Sequence, residues 1–373
     1  MNTKGYHYMN DFIKDLLMSK YQDETLVNTI YSSPFIQYLV KETSSVNKSS
    51  KARASLGNLY ALYALIEDYI VNGFVESGQY SQYEGMMFSK AFKRHRELPM
   101  GEKLQNHAFN NRCNDKFKRL TKSEEVPIIR NLETNRYWIN EKLLLVGKHN
   151  IARDIIDIIE KYIELRLLGF ERFFNECIEQ RAGYEQNPEK ATSFILRLLA
   201  PETDARIFEI VAFCIIKYYY HNQMVYFGET KDQIKEVPVA LYKTGRTNAN
   251  DGGIDFIMQP YGRIFQVTEV LDFKKYFLDI DKLNHYKITF VVKTEMSSEE
   301  VLKVITEQAA VSYPLPELRN KYLACFEEII TIDSLKEYMQ KIIEKQLLGD
   351  LLDELILQCK VEYNLDDSIE VEE

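Results

Sequence analysis

The hydrophobic pattern changes its period part-way along the chain. Up to about Arg181, apolar residues recur at three- and four-residue spacing, as in Leu56–Val71 and Ile151–Leu168. This spacing is typical of helices with one apolar face. After Tyr220 the apolar segments become short, rich in β-branched and aromatic residues, and bounded by Gly or Pro, which indicates strands. The sequence therefore predicts a helical first part and an α/β second part.

The second part alternates between the two kinds of element. A short helix is expected at Thr192–Leu199 and a long one at Asp204–Tyr220, capped by Thr203. Strands are predicted at Met224–Phe227, Val237–Tyr242, Gly253–Met258, Arg263–Leu271 and Lys287–Lys293. Later helices are predicted at Phe273–Leu283, Ser298–Ala309, Leu318–Ile329 and Ser334–Leu357.

A polar segment, Gly183–Ala191, is the best candidate for a domain boundary. We therefore expect a large helical domain over residues 1–185, an α/β domain over 190–330, and a C-terminal helix with an acidic tail over 331–373.

Cysteine usage and hydropathy bear on where such a chain resides. The five cysteines are odd in number and include no CxxC pair, which argues against a disulfide framework and against a structural zinc site. The first twenty residues lack the apolar core of a signal peptide, and no later run reaches the ~20 apolar residues of a membrane span. We expect a soluble protein of the cytoplasm.

Charge is distributed unevenly. The formal net charge is −9, but residues 350–373 hold nine acidic residues against one lysine. Residues 90–122 instead carry ten basic residues against three acidic ones. This asymmetry is compatible with a polyanionic partner.

The basic stretch interleaves Lys and Arg with Asn and Gln. Lys and Arg neutralise phosphates, while Asn, Gln and Arg have the donor and acceptor geometry to read base edges. A solvated, charged helix face is the alternative interpretation. The candidates for DNA contact are Lys93, Arg94, Arg96, Lys103, Gln105, Asn106, Asn110, Asn111, Arg112 and Lys116, with Arg246 and Asn248 from the later loop.

Three segments of the second part carry residues suited to chemistry. Glu209 is surrounded by apolar residues in its helix, so it either pairs with a base such as Arg206 or Lys217 or faces a metal. Asp255 follows two glycines into a strand, where it is either a fixed carboxylate or a turn residue. Gln266 lies eleven residues later on the next strand. A hairpin would bring Asp255 and Gln266 together as oxygen ligands for a cation.

The order of these segments resembles the nuclease core of the PD-(D/E)xK superfamily, particularly type II restriction endonucleases. The likeness covers Asp204–Lys293, about a quarter of the chain. It implies a restriction-endonuclease-like mixed sheet flanked by helices. It also implies that Asp255 is the main Mg²⁺ ligand, that Gln266 replaces the second acid, that Val267 offers its carbonyl, and that Glu209 is the helix acid.

The sequence departs from the family pattern at one position. The motif lysine, which positions the attacking water, is replaced by Thr268. The resemblance allows that lysine to come from another element, and the candidates are Lys243, Lys274 and Lys275. Glu269 would replace Gln266 only if a bulge turned it to the other face.

The resemblance implies a Mg²⁺-dependent, sequence-specific endonuclease for double-stranded DNA, with Mn²⁺ as a possible substitute. A palindromic site would be met by a homodimer, and a separate DNA methyltransferase is expected as its counterpart. Two alternatives remain open. One is a nuclease fold that has lost catalysis and serves in DNA binding or regulation. The other is a nuclease acting on RNA or on single-stranded or damaged DNA.

Overall fold

The chain forms two compact units, Met1–Glu171 and Arg172–Glu373. The computed structural model describes residues 12–44, 49–77, 83–102, 104–244 and 254–363, with the backbone alone for 49–54 and 363. The division falls inside one long helix, Ala152–Gly183. The segment predicted as a boundary, Gly183–Ala191, comprises the end of this helix, a link of residues 184–187 and the start of the next helix, Pro188–Leu198. No helix within the described ranges is long and apolar enough to cross a bilayer.

The first unit is mainly helical, as predicted, but it also contains strands. Its helices are α1 (Phe12–Tyr21), α2 (Glu24–Tyr31), α3 (Pro34–Thr43), α4 (Ser49–Val71), α5 (Phe74–Ser77), α6 (Phe88–Glu97), α7 (Cys113–Thr121) and the start of α8 (Ala152–Gly183). Its strands are β1 (Met86–Met87), β2 (Ile128–Asn131), β3 (Arg136–Ile139), β4 (Leu145–Val146) and β5 (His149–Asn150). These strands span two to four residues, too few for a period-two pattern to be recognised.

Helix α4 is central to the core of the first unit. Every residue from Leu56 to Ile66 is buried, so the helix is apolar on all sides, as expected for one surrounded by other elements. Phe109 and Phe117 pack in the same core.

The second unit has the α/β composition that the sequence predicts. Its helices are the end of α8, α9 (Pro188–Leu198), α10 (Ala205–Tyr219), α11 (Phe273–Lys282), α12 (Ser298–Ser312), α13 (Pro316–Leu323), α14 (Ile332–Glu344) and α15 (Leu348–Tyr363). Its strands are β6 (Met224–Phe227), β7 (Lys235–Pro238), β8 (Ala240–Lys243), β9 (Phe256–Gln259), β10 (Arg263–Thr268), β11 (Ile288–Val292) and β12 (Phe326–Ile330).

In the described part of this unit, five strands form one mixed sheet in the order β12-β11-β10-β9-β8. The pairs β8–β9 and β9–β10 are antiparallel, whereas the pairs β10–β11 and β11–β12 are parallel. Helix α10 covers one face, where the rings of Phe213 and Phe256 lie 5.2 Å apart. Helix α11 covers the other, where Tyr276 and Phe290 lie 4.8 Å apart. The predicted mixed sheet flanked by helices is thus present.

Some predicted elements were wrong. The helix expected at Leu318–Ile329 ends at Leu323, and the chain continues as strand β12. No Gly or Pro marks that change, and pairing with the distant β11 decides it. The cap of α10 is Asp204, whose side chain accepts from the Arg206 N–H, instead of Thr203.

All five cysteines are buried and carry free thiols. Cys113 belongs to the first unit, and the other four belong to the second. Burial raises the pKa of the Cys113 thiol to about 12 and that of the Cys214 thiol well above its ordinary value.

Candidate active site and nucleic-acid interface

The predicted hairpin exists, and Asp255 lies at its open end. Strands β9 and β10 pair antiparallel, with Phe256 opposite Phe265. One residue beyond that pair, the Asp255 Oδ2 accepts a hydrogen bond of 2.6 Å from the Val267 N–H. The Asp255 N–H in turn donates to the Phe265 carbonyl at 3.0 Å. The carboxylate therefore serves as an acceptor where the ladder ends, which fixes its position against β10.

Gln266 is the next polar side chain along β10. It is buried, and its Nε2 donates to the Val267 carbonyl at 3.2 Å. Its Oε1 is buried without a hydrogen-bond partner. A buried, unpaired carbonyl oxygen costs roughly 1–3 kcal/mol unless a donor or a cation meets it. Gln266 thus has an unpaired acceptor oxygen, and it directly precedes Val267, whose N–H donates to Asp255.

Lys275 contacts Thr268, the residue at the place that the resemblance assigns to a lysine. The Nζ of Lys275 donates to the Thr268 Oγ1 at 3.0 Å. Lys275 lies in the first turn of α11, which begins directly after the Asp272 cap. Because only four residues connect the end of β10 to the start of α11, the first turn of the helix lies close to the end of the strand. Of the three candidate lysines, Lys275 is the one that meets Thr268, while Lys274 is exposed.

Glu209 forms a buried ion pair, but with neither predicted partner. Its Oε1 lies 3.2 Å from the Nζ of Lys243, and both side chains are about nine-tenths buried. Lys217 instead pairs with Glu354 at 2.7 Å. The sequence could not show this because Lys243 lies on β8, which reaches α10 only in the folded chain. Lys243 is opposite Phe256 in the ladder, and the next residue, Thr244, donates its N–H to the Asp255 carbonyl at 3.0 Å.

Glu269 is held by a second buried lysine, Lys293. The Lys293 Nζ lies 2.7 Å from the Glu269 Oε1, with only 3% of the Lys293 side chain exposed. It also donates to the Thr203 carbonyl just before α10. Glu269 is therefore committed to an ion pair, whereas the Gln266 Oε1 has no hydrogen-bond partner. The sequence analysis did not single out Lys293, although a lysine directly after the apolar run ITFVV of β11 was a usable signal.

The donors at this strand end suit a hard divalent cation. Asp255 offers a carboxylate, Gln266 an unpaired buried oxygen and Val267 a carbonyl, which are the oxygen ligands that Mg²⁺ prefers. Glu209 is engaged by Lys243. Over the described ranges, no three His, Cys, Asp or Glu side chains gather closely enough to hold a metal ion. Any cation here would therefore rely on one carboxylate, neutral oxygens and water.

Family models, curated proteins and solved structures offer no match to this chain. The chemistry of the site is therefore the basis for assigning a function.

Part of the predicted DNA-contact set is committed within the protein. Arg94 forms two hydrogen bonds with the Glu67 carboxylate, of 2.6 and 2.7 Å. Lys116 lies 2.7 Å from the fully buried Glu42. The Nε of Arg112 donates to Asn58, and burial lowers the pKa of this guanidinium. These three side chains therefore take part in contacts within the protein.

Other members of the set face solvent. Lys93, Arg96, Gln105, Asn110 and Asn111 are exposed, and Asn106 is half-buried. Asn110 and Asn111 lie on a π-helical turn, Ala108–Arg112, which leads into α7. Lys103, Arg246 and Asn248 lie outside the described residues. Three of the exposed residues also have partners in the protein: Lys93 lies 3.7 Å from Glu97, Arg96 donates to the Glu102 carbonyl, and Asn111 accepts from Arg130.

His95 shows that the same stretch also supplies core residues. It is fully buried between Phe92 and Phe109, its Nε2 lies 3.1 Å from the Gly57 carbonyl, and its Nδ1 has no partner. A carbonyl only accepts, so Nε2 carries the proton. Burial lowers the pKa of His95 from about 6.5 to about 4.

This shift predicts acid lability. Between about pH 6.5 and pH 4 the unfolded chain binds a proton that the folded chain does not. The free energy of unfolding should therefore fall by about 3 kcal/mol as pH drops through this window. His95→Gln should flatten that dependence, as measured by urea unfolding at neutral pH and at about pH 4.5. The exposed His107→Gln is the matched control. An unchanged pH slope in His95→Gln would contradict the assignment.

Proposed function

We propose that this chain is a Mg²⁺-dependent endonuclease that hydrolyses phosphodiester bonds in double-stranded DNA, in the manner of a type II restriction enzyme. The observation that carries the proposal is the end of β10. There the Asp255 carboxylate accepts from the Val267 N–H, and the adjacent Gln266 has a buried, unpaired oxygen. The Lys275 ammonium donates to the hydroxyl of Thr268, the next residue along the strand after Val267.

The order of elements also supports the proposal. Helix α10 is followed by the β6–β7 hairpin, then by the three antiparallel sheet strands β8, β9 and β10, then by α11, and then by β11 parallel to β10. This is the order of the nuclease core that the sequence resembles. In this order Asp255, which accepts from the Val267 N–H, and Lys275, which donates to Thr268, both lie beside the carboxyl end of β10.

Each residue has a definite role in the proposed reaction. Asp255 and Gln266 would hold the cation, with the Val267 carbonyl as a third protein oxygen. When bound, the cation stabilises charge on the phosphate and lowers the pKa of a water. Lys275, oriented by its hydrogen bond to Thr268, supplies the positive charge that the motif lysine would supply. Lys243 forms a buried ion pair with Glu209 beside the sheet.

The first unit supplies DNA contacts in this proposal. Lys93 and Arg96 neutralise phosphates, and Gln105, Asn110 and Asn111 are the exposed amides with base-reading geometry. A cytoplasmic homodimer, a palindromic site and a separate DNA methyltransferase follow from the restriction-enzyme proposal. Mn²⁺ is expected to replace Mg²⁺.

The test is cleavage of phage DNA by the purified chain. With Mg²⁺ or Mn²⁺ we expect discrete fragments, whereas chelation of the metal should leave the DNA intact. RNA and single-stranded DNA in parallel reactions report on the alternative substrates. Intact DNA across several phage genomes with both metals would overturn the proposal.

A second candidate is a nuclease fold without catalysis that serves in DNA binding. Two observations favour it: Glu209 forms an ion pair with Lys243, and Thr268 stands where the family pattern has a lysine. Calorimetric titration with Mn²⁺ separates the two functions. Undetectable metal binding together with retained DNA binding would support this second candidate.

A further inference from the structure

A cavity of about 690 Å³ lies at the C-terminal end of helix α10, beside the end of α14. Its lining includes Tyr219 of α10, the turn residues His221, Asn222 and Gln223, and Lys341 and Lys345 from the end of α14. Cavities of this size are typical of small-molecule sites. At roughly 1.5 Å per residue, Tyr219 lies about 15 Å along α10 from Glu209, which pairs with Lys243. The cavity is therefore separate from the site proposed for cleavage.

The cavity concentrates positive charge. Lys341 and Lys345 line it, and no Asp or Glu of the described ranges does. In the described part of the chain these two lysines have no ion-pair partner, whereas Lys336 of the same helix lies 3.0 Å from Asp333. A concave surface with charge of one sign attracts ions of the opposite sign. The cavity is therefore suited to an anion.

Tyr219 holds both ammonium groups beside the cavity. Its ring stacks on the ring of Tyr338, with the centroids 3.7 Å apart. The ammonium nitrogens of Lys341 and Lys345 lie 5.3 and 5.9 Å from the centroid of the Tyr219 ring. The two lysines are four residues apart, a spacing at which like charges on a helix repel each other. An anion that contacts both lysines would remove this repulsion.

Three acidic residues of the neighbouring elements do not line the cavity. Glu337 and Glu344 are exposed residues of α14. Glu328 of β12 forms an ion pair with Arg263 and accepts a hydrogen bond of 3.2 Å from the Tyr338 hydroxyl. The two lysines therefore set the sign of the charge in the cavity.

Helix capping explains one of these lysines but not the other. Lysines at helix ends satisfy main-chain carbonyls and interact favourably with the helix dipole. Lys345 has this role, because its Nζ donates to the Tyr219 carbonyl at 2.9 Å. The Lys341 ammonium contacts only the Tyr219 ring among the described residues. Lys341 is therefore the residue that best separates a binding site from a capping arrangement.

We propose that this cavity binds a phosphate group, with Lys341 and Lys345 as its cationic contacts. The exposed side-chain amides of Asn222 and Gln223 are neutral donors at the same cavity. Lysine ammonium groups and side-chain amides are common donors to phosphate oxygens, and the two lysines match the two negative charges of a phosphate monoester. The phosphate belongs either to a free nucleotide or to the backbone of DNA. This inference goes beyond the proposed function, since it requires no hydrolysis.

The test is titration of the full chain, without divalent metal, with three probes. Inorganic phosphate and thymidine monophosphate are titrated by calorimetry, and a double-stranded DNA oligonucleotide by fluorescence anisotropy. In Lys341→Gln with Lys345→Gln, the probe that binds the wild-type chain should bind about tenfold more weakly or worse. Lys341→Gln alone, which leaves the capping lysine in place, should show part of the same loss.

The two sources of phosphate give different results. With a free ligand, thymidine monophosphate or inorganic phosphate loses affinity in the double variant while DNA does not. With DNA, the slope of log affinity against log salt should become shallower by about two in the double variant, because each lysine releases about one counterion. Either result supports the proposal and names the source.

Lys336→Gln is the matched control, since Lys336 is an exposed lysine of α14 that does not line the cavity. It should bind each probe like the wild-type chain, and circular dichroism should show that all variants fold. Failure of every probe to bind rules the proposal out. So does an equal loss in Lys336→Gln, or wild-type affinity for every probe in both Lys341 variants. Because no cleavage is measured, these outcomes are distinct from failure of the nuclease proposal.

Discussion

Asp255→Asn is expected to lower the rate of DNA cleavage by more than about 100-fold. The substitution removes the negative charge that would hold a divalent cation at the end of β10. It keeps an oxygen that can accept from the Val267 N–H, so the hairpin should retain its structure. Single-turnover cleavage with Mg²⁺ measures the effect, and calorimetry should show weaker Mn²⁺ binding.

Asp272→Asn is the control for that experiment. Asp272 is an exposed carboxylate a few residues beyond the same strand, and it caps α11 by accepting from the Lys274 N–H. Asparagine caps helices equally well, so this variant loses one negative charge and little else. Activity close to wild type in Asp255→Asn would mean that Asp255 only completes the strand ladder, as a turn residue would.

Lys275→Met is expected to reduce cleavage by about 100-fold while DNA binding changes little. Methionine keeps most of the aliphatic stem but removes the ammonium that meets the Thr268 hydroxyl. The loss should appear in the rate of the chemical step, since the lysine acts on charge that develops during hydrolysis. Single-turnover rates and DNA titrations separate these two quantities.

Lys274→Met is the matched control, because Lys274 precedes Lys275 on the same helix but is exposed. It should keep a rate within a few-fold of wild type. If Lys275→Met is fully active, Lys275 has no role in the reaction. The ion-paired Lys243 is then the remaining lysine of the three candidates, and the proposed division of roles is wrong.

Much of the second unit was predictable because its signals are local. Strands β9 and β10 are apolar, β-branched or aromatic runs with a clear turn between them, so their pairing into a hairpin followed from pattern and connection length. Strand β12 was missed because its sequence, FEEII, is half polar and no breaker precedes it. Its state depends on pairing with β11, which lies far away in the sequence.

In the candidate site, too, the local features could be predicted from the sequence and the long-range ones could not. The place of Asp255 at the open end of the β9–β10 hairpin could be predicted, since two strands and a tight turn fix it. The partners of Glu209 and Glu269 could not, because Lys243 and Lys293 reach them from other elements. Likewise, composition marked 90–122 as basic, but only folding determines that Arg94 and Lys116 meet carboxylates while Lys93 and Arg96 face solvent.

The burial of every cysteine gives each unit a reporter of its own opening. A thiol reacts with alkylating reagents as the thiolate, so a buried group with a raised pKa is unreactive until its surroundings open. Modification of Cys113 would therefore follow opening of the first unit, and modification of Cys214 that of the second. Mass spectrometry of alkylated peptides can thus time the two events separately in one unmodified chain.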